Sequence, residues 1–93
     1  TKTKFSVSTI ENGKTYFVDT IMVISGSFND RRSIKSAEVY INGINIGAFD
    51  PINKTLSFFP SEIPAIKTKN KLRVEVIDQF DQKFADELNF NIK

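Results

Sequence analysis

Apolar and polar residues alternate with a period of two along most of this chain, and no segment carries a convincing helical stripe. Lys4 to Ile10 begins the pattern, with Phe5 and Val7 on one side of an extended strand. Glu11-Asn12-Gly13-Lys14 reads as a turn. Thr15 to Phe28 is rich in β-branched and aromatic residues. Its centre, Ile21 to Ile24, is apolar on both parities, which predicts a strand covered on both sides, with Ile21 and Val23 in the core. Asn29 to Ser33 is a polar loop. Ala37, Val39 and Ile41 then alternate with Glu38 and Tyr40. Asn42-Gly43 supplies two residues that tolerate positive φ, as a type I′ hairpin turn requires. Ile44 to Phe49 is the return strand.

Asp50-Pro51-Ile52-Asn53 is a further turn, followed by a short strand with Leu56 and Phe58 on one face. Pro60 and Pro64 break that strand and leave room for one helical turn. The strongest strand is Leu72 to Ile77, with Leu72, Val74 and Val76 inward and Arg73 and Glu75 outward. Asp78 to Lys83 connects it to a last strand in which Leu88, Phe90 and Ile92 alternate. About seven short strands with a turn every eight to twelve residues predict an all-β, two-sheet antiparallel sandwich. The expected core is Phe5, Val7, Ile21, Val23, Val39, Ile41, Leu56, Phe58, Leu72, Val74, Val76, Leu88 and Phe90.

Composition bounds the picture. Ninety-three residues fit one domain, 1–93, and 40% hydrophobic content with nine phenylalanines supports a core without staples. Thirteen basic and eleven acidic residues leave a net charge of +2. That balance argues against a nucleic-acid footprint. No stretch reaches the roughly 18 apolar residues of a membrane span. The chain starts mid-pattern at Thr1 and ends on strand-like residues, so it is expected to be excised from a longer polypeptide.

Three stretches in order resemble bacterial immunoglobulin-like modules, the kind found in surface proteins, glycoside hydrolases and penicillin-binding proteins. Val23 to Asp30 is similar to their early strand and loop, Ala37 to Gly43 to their hairpin, and Asn70 to Asp78 to their late strand. The cysteine pair and core tryptophan of antibody domains are absent. Gln79-Phe80-Asp81-Gln82 replaces the glycine-asparagine turn frequent in such modules, so a looser or longer connection is expected there. The resemblance implies an immunoglobulin-like sandwich in an extracytoplasmic, cell-surface or wall-associated bacterial protein. It implies a non-catalytic spacer, with adhesion to cell-wall carbohydrate or to a protein ligand as the alternative. Neighbouring domains of the same chain are the expected partners, and a monomer is expected.

Catalysis is not expected. With no histidine and no cysteine, a Ser-His-Asp triad, a Cys-His pair and thiolate or imidazole metal sites are impossible. No cofactor is expected apart from a candidate calcium ion. Asp78 and Asp81 are its candidate ligands, with Asp86 also around the last hairpin and Asp30 and Asp50 in other loops, since sandwich loops can converge their oxygens. Aspartates also favour turns for purely local reasons. Tyr40 is a candidate sugar platform on the outer face of its hairpin, against the simpler reading of a good β-former. Lys67, Lys69 and Lys71 point to one side and could meet an acidic polymer. The simpler reading is a charged sheet edge that resists pairing with another chain. An exposed pair among Phe59, Phe80 and Phe84 would mark contact with a neighbouring domain.

Overall fold

The computed structural model describes residues 2–93; Thr1 lies outside the described residues. The chain folds into an antiparallel sandwich measuring 38 × 25 × 20 Å. Among the described residues nine strands follow in order: β1 (Phe5–Val7), β2 (Thr15–Tyr16), β3 (Met22–Ile24), β4 (Gly26–Phe28), β5 (Ile34–Ile41), β6 (Ile44–Ala48), β7 (Leu56–Phe58), β8 (Lys69–Asp78) and β9 (Lys83–Ile92). A single 3₁₀ turn, Pro60–Glu62, follows β7 where the prolines interrupt the strand.

The strands form two layers. One is β2-β9-β8-β5-β6, antiparallel except for β2, which runs parallel to β9. In the other, β4 pairs with β1 and β3 pairs with β7. Only Ser25 separates β3 from β4, so residues 22–28 behave as one interrupted strand. Gly26 permits this layer to close: a side chain there would meet the Ser6 carbonyl at 2.4 Å and the Phe5 ring at 2.6 Å.

The two layers bury one core. Phe5, Met22, Ile24 and Phe28 come from the smaller layer, and Val39, Ile41, Leu72, Val74, Val76 and Phe90 from the larger. Phe28 packs edge-on against Phe5 and against Phe84, at centroid separations of 5.5 and 5.2 Å. A polar link joins β1 to β9, where the Val7 amide donates to Asp86 Oδ2 at 2.8 Å.

Alternation in β5, β8 and β9 is as the sequence predicts. Phe5 and Phe90 are fully buried, while Val7, Leu56, Phe58 and Leu88 pack around the core's rim. The Asn42-Gly43 turn has φ of 54° and 85°, and it brings Ile41 opposite Ile44. Two expectations are corrected. Ile21 and Val23 are 51% and 38% exposed, whereas Met22 and Ile24 are buried. The run is apolar on both parities, so pattern alone cannot assign its face, and the register with β7 sets Met22 opposite Phe58. The β8–β9 connection is tight, not loose: the Asp78 amide donates to the Gln82 carbonyl at 3.0 Å. Asp81, at φ 63°, takes the left-handed position that a glycine would otherwise fill. Of the three alternating lysines, Lys67 precedes β8, and Lys69 and Lys71 open it, where β9 pairs one flank while the β5 pairing stops at Leu72 and the Asn42 turn bonds Lys71.

Candidate functional site

The two ends of β8 carry buried polar groups, and each organises one pole of the sandwich. At the first pole Asp78 is wholly buried. Its Oδ1 accepts the amides of Phe80 and Gln82 at 2.9 and 2.8 Å, which shapes the β8–β9 turn. Its Oδ2 accepts Arg32 Nη1 at 2.8 Å. The same guanidinium donates to Gln82 Oε1 at 3.0 Å, to Thr3 Oγ1 at 2.9 Å and, through Nε, to Asp30 at 3.0 Å. It also lies within 5.4 to 5.9 Å of the ring centroids of Phe84, Phe28 and Phe80. Arg32 therefore ties the N-terminal segment, the β4–β5 loop and the β8–β9 turn together. Burial would raise the Asp78 carboxyl, but the Gln82 amide, the Arg32 guanidinium and the Phe80 amide outweigh it and hold the carboxyl below its ordinary value.

At the opposite pole Asn70 is buried. Its Nδ2 donates to the Lys67 carbonyl at 2.7 Å, and its Oδ1 accepts the Lys67 amide at 2.8 Å and Asn42 Nδ2 at 3.0 Å. Asn42 Nδ2 also donates to the Ala65 carbonyl at 2.8 Å, and Asn42 Oδ1 accepts the Lys71 amide at 3.0 Å. The hairpin turn and the segment leading into β8 are thus one hydrogen-bonded unit. Among the described residues, no buried side-chain nitrogen or oxygen lacks a partner.

The structure does not assemble the candidate calcium ligands into one cluster. Asp78 is committed to Arg32 and backbone amides, and exposed Asp81 pairs with Lys35 Nζ at 2.5 Å. Asp86 holds the Val7 amide, Asp30 holds Arg32, and Asp50 Oδ2 accepts the Asn53 amide at 2.9 Å. Among the described residues, no three acidic side chains gather closely enough to hold a metal ion.

Tyr40 does lie on the outer face of the larger layer. It is half-buried there, its hydroxyl donating to Glu38 Oε2 at 2.9 Å. That bond is the main reason the phenol sits above its ordinary pKa. The cross-strand row beside it reads Ala48, Glu38, Glu75, Ala85. The small alanines leave a shallow depression of about 590 Å³, bordered by Arg73, Ile77 and Lys83. Lys71 lies on the same face beside Glu87 at 3.4 Å, and Glu87 also meets Arg73 at 3.2 Å. Hydrogen bonding from Arg73, more than burial opposes it, keeps the Glu87 carboxyl below its ordinary value. Lys67 and Lys69 are exposed at the Asn70 pole and do not meet Tyr40 in one constellation.

Exposed apolar side chains occur at both poles. Phe80 is 64% exposed at the Arg32 pole. Phe17, Ile21 and Phe59 are exposed at the other, where the Val18 amide donates to the Lys93 carbonyl and the Ser61 amide to the Val18 carbonyl. Phe84 is not part of an exposed pair, because it packs on Phe28.

The Arg32 hub escapes motif reading, since Arg31-Arg32 looks like any polar loop. A signal was nevertheless present: Asn70, Leu72, Val74, Val76 and Asp78 share one parity, which places both polar residues on the inward face of β8.

No protein-family model matches the chain, and none of the curated proteins compared with it matches either. Solved structures do. Fibronectin(III)-like modules of Clostridium thermocellum CbhA superpose with a TM-score of 0.70 at 13% identity, over 96% of each chain. The endo-β-1,4-mannanase of Thermotoga petrophila superposes with a TM-score of 0.71 at 9% identity; the match spans all of this chain and 20% of that one. At such identities the likeness speaks for fold, and the fold is that of the bacterial immunoglobulin-like and fibronectin(III)-like sandwich.

Proposed function

We propose that this domain is a non-catalytic spacer of an extracytoplasmic bacterial protein, holding the parts on either side of it at a fixed separation. The observation that carries this reading is the placement of the chain's ends. Thr3 accepts a bond from Arg32, which pairs with Asp78 at one end of β8, whereas the Ile92 amide donates to the Thr68 carbonyl at the other. A ten-residue strand spans on the order of 30 Å, so the ends lie at opposite poles of the long axis. Each pole also presents an exposed phenylalanine, Phe80 or Phe59, suited to packing against a neighbouring domain. The likeness to a stretch of a mannanase chain favours a parent protein that acts on polysaccharide. Fusing a compact reporter domain to each end and measuring solution scattering tests the reading. An elongated particle with the reporters held apart by the module's length supports it; reporters in mutual contact refute it.

A second reading, a wall-glycan or protein-ligand module, is favoured by the depression between Ala48 and Ala85. Its lining includes Glu38, Arg73, Glu75 and Lys83, which can bond hydroxyl groups, and Tyr40 adjoins it through its hydroxyl bond to Glu38. Titration of the labelled domain with wall glycans, followed by NMR, separates the readings. Shifts confined to Glu38, Tyr40, Arg73 and Ala85 would establish a binding face, and an unmoved spectrum would remove it. Calcium added in the same series tests the Asp78 and Asp81 candidates directly.

A further inference from the structure

We propose that Asn42-Gly43 is a latent modification site, an asparagine poised to become aspartate or isoaspartate and held inert by the buried side chain of Asn70. The chain carries two Asn-Gly pairs, at 12–13 and 42–43. Glycine leaves its backbone nitrogen unshielded by a Cβ, so that nitrogen can reach the preceding side chain. At 42–43 the attacking group is free: Gly43 is exposed, and among the described residues its amide has no hydrogen-bond acceptor. The attacked group is held. Asn42 Nδ2 donates to the Ala65 carbonyl at 2.8 Å and to Asn70 Oδ1 at 3.0 Å, and Asn42 Oδ1 accepts the Lys71 amide at 3.0 Å. Asn70 is itself only 3% exposed and is fixed by the Lys67 amide and carbonyl at 2.8 and 2.7 Å. At 12–13 the arrangement is reversed. Asn12 is exposed and held through Oδ1 by the Asn89 amide at 2.8 Å, while the Gly13 amide is tied to the Asn89 carbonyl at 2.7 Å.

The reaction needs only water. The Gly43 nitrogen gives up its proton to hydroxide and bonds to Cγ of Asn42. The Cγ–Nδ2 bond breaks, and Nδ2 takes up a proton and leaves as ammonia. Water then opens the resulting cyclic imide at either carbonyl carbon. Opening at Cγ gives aspartate; opening at the backbone carbonyl gives isoaspartate, with the chain routed through the side chain. Nothing is oxidised or reduced. Asn42 must leave all of its side-chain partners before Cγ can be attacked, so the rate follows the fraction of time the turn is open. The product cannot restore the knot, because a carboxylate has no N–H to give the Ala65 carbonyl or Asn70 Oδ1. Each conversion is therefore one-way, and it loosens the pole where Ile92 bonds Thr68.

Incubation in mildly alkaline buffer, followed by intact mass and peptide mapping, tests the site. Asn42 in the folded protein is expected to convert at least about tenfold more slowly than in the urea-unfolded chain. Asn70→Leu is expected to quicken Asn42 by at least about fivefold while Asn12 keeps its rate. Asn12 thereby reports on folding, since global unfolding speeds both sites; if Asn70→Leu speeds both, the milder Asn70→Ser takes its place. Asn42→Asp, the product made directly, is expected to melt at a lower temperature than Asn12→Asp, which keeps the acceptor for the Asn89 amide. Equal Asn42 rates in the folded and unfolded chains, or a folded Asn70 variant that leaves Asn42 at the parent's rate, would overturn the lock. Equal melting of Asn42→Asp and Asn12→Asp would overturn the one-way step.

Discussion

Arg32 Nη1 and Asp78 Oδ2 lie 2.8 Å apart, with the carboxylate wholly buried and the arginine side chain 18% exposed. The pair joins residues 46 positions apart and closes one end of the sandwich. Breaking such a pair leaves the remaining charge in a poorly solvated place. Arg32→Lys keeps the charge but loses the fork that reaches Asp78, Asp30, Gln82 and Thr3 together. The expected result is a thermal midpoint lowered by several degrees for Arg32→Lys and further for Arg32→Met, measured by circular dichroism.

Acid should weaken the same pole. The folded Asp78 carboxyl is held below its unfolded value, which is about 3.9. Its contribution to stability is therefore fully present above that value and is lost as pH falls through the folded value. Asp78→Asn should be less stable than the parent by a constant margin above about pH 4, and the margin should close at lower pH. Urea denaturation across this range measures it; a margin unchanged down to the lowest pH would contradict the assignment.

The Asn70 knot makes a parallel case without charge. Asn70→Leu fits the apolar side of β8 but strips the Lys67 amide and carbonyl of their buried partner. Leaving such groups unpaired should cost about 1–3 kcal/mol. Denaturant melts of the variant provide the check, and amide exchange at Lys67 should quicken.

Parity in β3 is tested by neighbouring truncations. Ile24→Ala empties a fully buried site and should cost about 2–5 kcal/mol. Val23→Ala, on the exposed face, should change stability by no more than about 0.5 kcal/mol.

These contrasts show what the sequence could carry. Strict alternation in β8 and β9 and the Asn42-Gly43 turn were legible because period and turn chemistry admit one reading. Ile21 to Ile24 was not, since all four residues are apolar and only the pairing of Met22 with Phe58 selects the buried pair. Asp78 reads as a turn aspartate although it shares the inward parity of Leu72, Val74 and Val76; its partner Arg32 arrives from a distant loop, and that pairing is what no local spacing encodes. The lysines at 67, 69 and 71 alternate as read, but whether β8 was central or at an edge depended on topology.

The distance between the two ends of the folded chain tests the central claim most directly. The protein has no cysteine, so Lys4→Cys and Lys93→Cys can be spin-labelled together and their separation measured by pulsed electron resonance. A single narrow distribution, comparable with the 38 Å long axis and unchanged by calcium or wall glycans, is the predicted result. A short separation, or a broad one that shifts when a ligand is added, would contradict the account of a rigid spacer.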